Sequence, residues 1–445
     1  MTPTRSFQTS VPMRRIVQTW WPLAASWLLM SAEGPAVSAV IARLANPEIN
    51  LAAYGGIVFP VSLIIESPII MLLSASTALS KDWDSYLKLK RFMLRAGALL
   101  TLLHALIAFT PLYYFVAVGL IGAPPEIIEP SRIGLMIMIP WSWSIAYRRF
   151  NQGVLIRFGH SRSVGFGTAV RLTTDGLVLG IGYLIGTIPG IVVASSAMAA
   201  GVISEAIYAG LRVRPVLRDQ LRQAMAVKQP LTFRIFLDFY IPLAMTSLLY
   251  MLVQPIGSAA LSRMPHALES LAVWPIATGL IFMLRSLGYA YNEVVVAMLD
   301  EPGAVPNLRR FTAFLVASTT ALMLAIAATP LAEFWFGRVS ALTPPLAMLA
   351  HQGLWIALAI PGLTALQSWH QGSLVHSRRT RDIASATVVF LITDSTILWA
   401  GVAWGQVTGL YIGLVAFGAS MLMQNAWLWQ RSRPVMQARY AERGV

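Results

Sequence analysis

The chain has 445 residues, 56% of them hydrophobic and 12% charged. A soluble globular protein runs near about a quarter charged, so the polar residues here are too few to cover a soluble surface and the composition points to a polytopic membrane protein. The net charge of +14 would imply a nucleic-acid partner in a soluble chain. Here it first asks where along the chain the basic residues fall. The absence of cysteine excludes disulfides, thiolate metal sites and cysteine nucleophiles. The polar N-terminus, followed by a long apolar run, predicts a retained first span and no cleaved signal peptide.

Apolar runs of about 20 residues, each enough to cross a bilayer, follow one another along the chain. The first half predicts spans at 17–40, 53–79, 93–119, 134–156, 164–187 and 190–211. The second predicts spans at 236–260, 271–298, 311–333, 345–369, 383–404 and 407–429. With twelve spans and both termini on one side, 25 Lys and Arg fall on that side and 4 on the other. The remaining four, Arg148, Arg149, Arg171 and Arg285, fall within spans. This asymmetry predicts cytoplasmic N- and C-termini in a cell membrane, an inner membrane in bacterial terms.

The sequence also repeats. At an offset of 220, residues 22–52 match 242–272 at 11 of 31 positions. At an offset of 219, residues 91–115 match 310–334 at 11 of 25, and 152–190 match 371–409 at 13 of 39. Chance in such a composition gives about one in ten. Six spans per repeat is an even number, so both copies enter the membrane from the same side. The expected architecture is all-α: twelve transmembrane helices in two parallel six-helix lobes around a central cleft. The expected lobes are 1–213 and 235–430, joined by a linker at 214–234 and followed by a tail at 431–445.

Each half opens on a similar motif, Trp20-Trp21-Pro22-Leu23-Ala24 and Tyr240-Ile241-Pro242-Leu243-Ala244, and each fifth span carries one aspartate, Asp175 and Asp394. In this pattern the chain resembles the multidrug and toxin extrusion (MATE)-like superfamily, which also holds polysaccharide and lipid-linked flippases. Within it, Glu33, Gln254-Pro255, Ser262-Arg263 and Asn292-Glu293 are most similar to the progressive ankylosis transporter family. That resemblance implies export of a small anion, and it implies a cation-coupling role for a first-helix carboxylate, here Glu33. The major facilitators are a poorer fit, because the connection after span 2 lacks their glycine-rich Asp-Arg motif.

Charges inside a membrane are costly and usually face a cavity or a partner. Arg171 lies four residues before Asp175 on one helical face, so a structural salt bridge competes with a transport role there. The position equivalent to Arg171 is Phe390, so Asp394 lacks that local partner and is suited to binding a proton. Its bland alternative is a packing carboxylate bonded to Thr393 or to a neighbouring span. Glu33, Asp394 and Asp175 are the candidate ion-coupling residues. Glu66 and Arg285, repeat partners of opposite charge, are a candidate gate. Glu205 is weighed equally as structural or functional. Arg148, Arg149, Arg171 and Arg285 form the candidate substrate set, because arginine forks suit carboxylates and phosphates. Snorkelling to headgroups competes for one of the adjacent pair Arg148 and Arg149. Pro140 and Pro361, mid-span in equivalent helices, are expected hinges.

No Walker A loop, HExxH or Ser-His-Asp grouping appears, and the six histidines show no metal spacing. The expectation is therefore a non-enzymatic, cofactor-free and metal-free monomer in the lipid bilayer, with no nucleic-acid partner. It exports a small anionic solute by alternating access, coupled to protons or sodium. The alternatives are multidrug extrusion, a lipid-linked flippase, and an integral membrane transferase.

Overall fold

A computed structural model describes residues 11–225, 227, 230–301, 303–377 and 379–441. Of the basic residues assigned to the cytoplasmic side, Arg5, Lys228, Arg378 and Arg443 lie outside them. Among the described residues there are long helices and no strand.

Twelve long helical passages follow one another. In the first half they are α1 (Met13–Ile41), α2 (Pro47–Leu79), α3 (Trp83–Phe109), α4 (Pro125–Arg157), α5 (Ser161–Ile185) and α6 (Gly190–Leu221). In the second half they are α7 (Phe233–Leu261), α8 (Ala267–Met298), α9 (Ala304–Ala328), α10 (Pro344–Ile356 with Ile360–His376), α11 (Thr380–Trp404) and α12 (Gly409–Ala441). Ten of these are long and apolar enough to cross a membrane, and the bent α10 makes an eleventh. The twelfth, α4, has 33 residues, about 50 Å of helix at 1.5 Å per residue. It carries Glu126, Glu129, Arg132, Arg148, Arg149 and Arg157, so length and not hydropathy qualifies it as a span.

Two expected spans end early, and for one reason. The runs predicted at 93–119 and 311–333 are helical only to Phe109 and Ala328. The following Thr110-Pro111 and Thr329-Pro330 break them, because a residue before proline is pushed out of the helical region. Thr110 (ψ 171°) and Thr329 (ψ 170°) are extended. Each threonine hydroxyl then donates to the last turn, to Leu106 O at 2.6 Å and Ala325 O at 2.7 Å. Each also accepts from the next free N–H, that of Leu112 or Leu331. Short, loosely wound segments follow at Phe115–Ile121 and Phe334–Val339.

Other repeated residues also have matching local roles. Arg43 and Arg263 each donate back to the carbonyl four residues earlier, at 2.7 Å. Gly186 and Gly405 close α5 and α11 with φ of 71° and 63°, where a side chain would be strained. Gly153 lies on Leu73 O, where a Cβ would come within 2.5 Å, and Gly372 packs on Asn292 O and Val295 in the same way. This explains the repeated Gln-Gly pair: small residues let membrane helices approach backbone to backbone. The prolines behave differently. Helix α10 bends by 43° just before Pro361, whereas α4 runs unbroken through Pro140, so of the two expected hinge positions the helix is bent at Pro361 alone.

The chain divides into two compact units. A central unit comprises Val37–Trp274, and a terminal unit joins Met1–Ala36 to Pro275–Val445. These bounds differ from the repeat halves because each half's first helix packs with the other half's helices. In the terminal unit, Trp20 of α1 donates to Leu287 O at 2.9 Å and meets Phe311 edge-on at 5.5 Å. In the central unit, Tyr240 of α7 donates to Pro68 O and meets Phe92 edge-on at 5.1 Å. Helix α6 runs on to Leu221, into the expected linker, and α12 runs past Arg431, into the expected tail.

Candidate functional site

The central unit buries a charged cluster between α2, α4, α5 and α6. Glu205 on α6 is 1% exposed. One carboxylate oxygen accepts from Arg148 of α4, and the other from Gln152 Nε2 at 2.8 Å, one turn further along α4. Arg171 Nε of α5 approaches the same carboxylate at 3.6 Å. Glu66 of α2 is 3% exposed and lies within electrostatic reach of Arg148, Arg149 and Arg171. Arg149 in turn feels both Glu66 and Glu205. Three arginines thus gather around two buried glutamates, with the buried Asp175 one turn along α5 from Arg171. Charges buried in this way must be paired, because an isolated ion in low dielectric costs several kcal/mol or more.

Helix geometry makes this gathering possible. Arg148 and Gln152 are four residues apart, on one face of α4, and both reach Glu205. The adjacent Arg149 points about 100° away. Gly153, closing α4 onto α2, brings Glu66 into the same neighbourhood. Asp175 of α5 is 3% exposed and sits against Gly201 of α6, where a Cβ would come within 1.7 Å of its Oδ1.

The terminal unit is built differently. Arg285 of α8 donates from Nε to Thr364 Oγ1 of α10 at 2.9 Å. Its guanidinium lies over the rings of Tyr289 at 5.1 Å and Phe417 at 4.8 Å. Among the described residues it forms no ion pair. Phe390, standing where the repeat has Arg171, packs edge-on against Phe417 at 5.5 Å. Asp394, one turn along α11, is 3% exposed, and among the described residues no hydrogen bond or ion pair reaches it. Thr393 does not serve it, because that hydroxyl donates to Val389 O at 2.9 Å. Ser420 stands where the other half has Gly201, and its buried hydroxyl is also unpaired among the described residues. Glu33 follows a break in α1 at Ala32 and stands two residues before Pro35, whose missing N–H leaves the Ser31 carbonyl without its helical donor. His370 is buried and bonded to Ser432 at 2.9 Å, on the wall of a cavity of about 890 Å³.

The structure therefore brings Arg148, Arg149, Arg171 and Glu66 together with Glu205 and Gln152. Asp175 belongs to the same unit. Glu33, Arg285 and Asp394 belong to the other. Glu205 is weighed equally as structural or functional on sequence and given no site role, and Gln152 is not among the expected site residues. A partial signal existed: an acid inside α6 with no base one turn away needs a partner from another helix.

No protein-family model matches the chain, and no curated protein resembles it in sequence. Solved structures do resemble it. An inward-facing multidrug resistance MATE transporter of the MOP superfamily superposes with a TM-score of 0.72 at 14% identity, covering 95% of this chain and 99% of that one. The lipid II flippase MurJ, in an inward closed conformation, gives 0.69 at 14% identity over 93% of this chain and 87% of its own. A MOP-superfamily transporter from Pyrococcus furiosus, described as having a binding pocket of reversed polarity that suggests a different function, gives 0.60 at 16% identity over 96% and 99%. The chain has the all-helical, twelve-helix fold of these membrane transporters.

Proposed function

We propose that the protein is a secondary transporter that exports a small anionic solute by alternating access, coupled to protons or sodium. The observation that carries the reading is the arginine set. Arg148, Arg149 and Arg171 crowd around the two buried glutamates Glu205 and Glu66. Arg285 offers a guanidinium held by a hydroxyl and two rings, with no carboxylate opposite it among the described residues. Planar guanidinium groups match carboxylates and phosphates. The reversed pocket polarity ascribed to the Pyrococcus furiosus transporter shows that one fold is described with pockets of either sign.

In this reading the four arginines meet the solute, and Glu205 with Gln152 holds Arg148 and Arg171 in place. Asp394 and Glu33 carry the coupling ion, with Asp175 as a second acidic position. Burial without a partner suits Asp394 to exchanging a proton during the cycle. The two repeats, 1–213 and 235–430, each lending its first helix to the other's compact unit, supply the two similar bundles that alternating access requires. The excess of Lys and Arg on alternate connections supports cytoplasmic termini in a cell membrane. The resemblance to the progressive ankylosis family supports a small anion as the cargo.

The test is flux in proteoliposomes of pyrophosphate, citrate, nucleotides and lipophilic cations, with and without a pH or sodium gradient. Anion flux that falls with Arg148→Gln or Arg285→Gln, and ion dependence that is lost with Asp394→Asn or Glu33→Gln, supports the proposal. Cation flux without anion flux overturns it in favour of multidrug extrusion. The likeness to a lipid II flippase favours a second reading, movement of a lipid-linked anion. A fluorescent lipid-linked phosphate scrambled between leaflets, with no flux of soluble anions, would establish that reading instead.

A further inference from the structure

A groove of about 740 Å³ runs between α3 and α7 of the central unit, with Pro68 and Ile69 of α2 also on its wall, and shares no lining residue with the arginine–glutamate cluster. One end carries Lys88, Arg91 and Arg95, and no acidic side chain lines the groove. These residues lie three, four and seven positions apart, so they share one face of α3. Arg91 and Arg95 are exposed and form no ion pair among the described residues. Lys88 meets Asp84 at 2.6 Å. The floor beyond is apolar. Phe92 meets Phe236 edge-on at 4.6 Å, Phe236 stacks on Tyr240 at 5.1 Å, and Ala96, Leu99 and Leu100 continue the wall along α3. Leu99 is 65% exposed.

We propose that this groove binds one anionic phospholipid of the surrounding bilayer, its phosphate on Lys88, Arg91 and Arg95 and an acyl chain along Phe92, Phe236 and Leu99. The dimensions fit. Lys88 to Leu100 is about 18 Å of helix, close to one leaflet of a hydrocarbon core roughly 30 Å thick. The order fits as well, charge at the helix end and hydrocarbon inward, and basic pockets between membrane helices select anionic headgroups. A soluble anion would gain nothing from the apolar floor. A zwitterionic lipid would bring a cation against three others.

The repeat supplies an internal comparison. At the equivalent positions of α9 stand Asn307, Arg310 and Phe314, only one of them basic. There Asn307 donates to Val11 O at 2.8 Å, and Phe311, the counterpart of Phe92, is 2% exposed in a closed apolar cluster with Val11 and Ile16. The same fold position is thus closed by the chain itself in one unit and left open beside a basic triad in the other. A bound lipid bridges α3 and α7 and braces the helix that Tyr240 anchors.

The experiment is native mass spectrometry of the full chain in detergent, titrated with phosphatidylglycerol, phosphatidylcholine of the same chains, or glycerol 3-phosphate. The expected result is one phosphatidylglycerol bound at least tenfold more tightly than phosphatidylcholine. The Lys88→Gln/Arg91→Gln/Arg95→Gln variant should bind about 100-fold more weakly, on the scale of several-fold per basic residue near a headgroup. Ala96→Trp, which fills the floor and keeps the charges, should also lose the lipid, and it tests the site independently should the triple variant not fold. Arg162→Gln/Arg212→Gln/Arg214→Gln, which removes three exposed charges elsewhere, should retain it. Equal binding of both lipids, an unchanged triple or Ala96→Trp variant, or an equal loss in the distant control overturns the proposal. Glycerol 3-phosphate binding as tightly as the lipid overturns it too, by assigning the groove to a free phosphate compound.

Discussion

Tyr240 and Trp20 occupy the same position of the two repeats and make the same bond, a ring-borne donor to a carbonyl of the other half's second helix. The acceptors, Pro68 and Leu287, are themselves repeat equivalents. Tyr240→Phe removes only the donor, and Trp20→Phe removes the donor with some of the ring. We expect Tyr240→Phe to cost about 1 kcal/mol and Trp20→Phe more. Thermal unfolding of the detergent-solubilised protein measures both. No shift for Tyr240→Phe would mean the bond contributes nothing.

Glu205 is the centre of its cluster, so its loss should be asymmetric. Glu205→Ala removes the carboxylate that Arg148 pairs with directly and Arg171 approaches, which we expect to cost about 3–5 kcal/mol. Arg148→Met/Glu205→Leu removes both charges and should recover most of that loss, since apolar replacements of a buried pair are often neutral. The double-mutant cycle in thermal stability gives the coupling directly. Additive losses would show that the two side chains do not act as a pair.

Gly201 exists for Asp175. A Cβ at 201 would fall 1.7 Å from the Asp175 carboxylate, so Gly201→Ala should destabilise by about 1–3 kcal/mol or more through overpacking. Asp175→Ala in the same chain should restore expression and melting temperature. Rescue is the decisive readout, because a general intolerance of α6 to alanine would not be rescued from α5.

Asp82 caps α3. Burial opposes its ionisation, but hydrogen bonds from the Ser85 side chain, the Val227 N–H and the Ser85 N–H outweigh burial and hold its pKa below the ordinary 3.8. A depressed pKa contributes stability that is present above the unfolded value and lost as pH falls through the folded one. The stability difference between the wild type and Asp82→Ala should therefore be constant near neutral pH and shrink below about pH 4. A difference that stays level to the acid limit would show that ionisation of Asp82 is not involved.

Much of the fold is legible in the sequence because it rests on local chemistry written twice. The Thr-Pro breaks, the Gln-Gly crossings and the Arg43 and Arg263 back-bonds each appear as repeated residues and each recur as repeated geometry. Two spans end before their hydropathy does, at Thr110 and Thr329, since apolar composition does not register the proline rule. Others, such as α6 and α12, run on into polar sequence that hydropathy does not count as span. The site was harder. Arg148, Arg149, Arg171 and Glu66 could be selected as charges in the wrong solvent, but their convergence on Glu205 depends on which helices cross. Gln152, a neutral partner, carries no such flag. The exchange of first helices was also hidden, because a repeat identifies equivalent helices and not their neighbours.

That exchange has a consequence for biogenesis. Trp20 and its acceptor are 267 residues apart. At translation rates of about 5–20 residues per second, α1 waits roughly 13–50 s in the membrane before its partner surface is made. During that interval its aromatic face has only lipid, or a chaperone, to lie against. A gene split between 222 and 231 would likewise not produce two self-sufficient halves. Each fragment would carry one helix whose seat is on the other, and both would have to be present in the same membrane for either to mature.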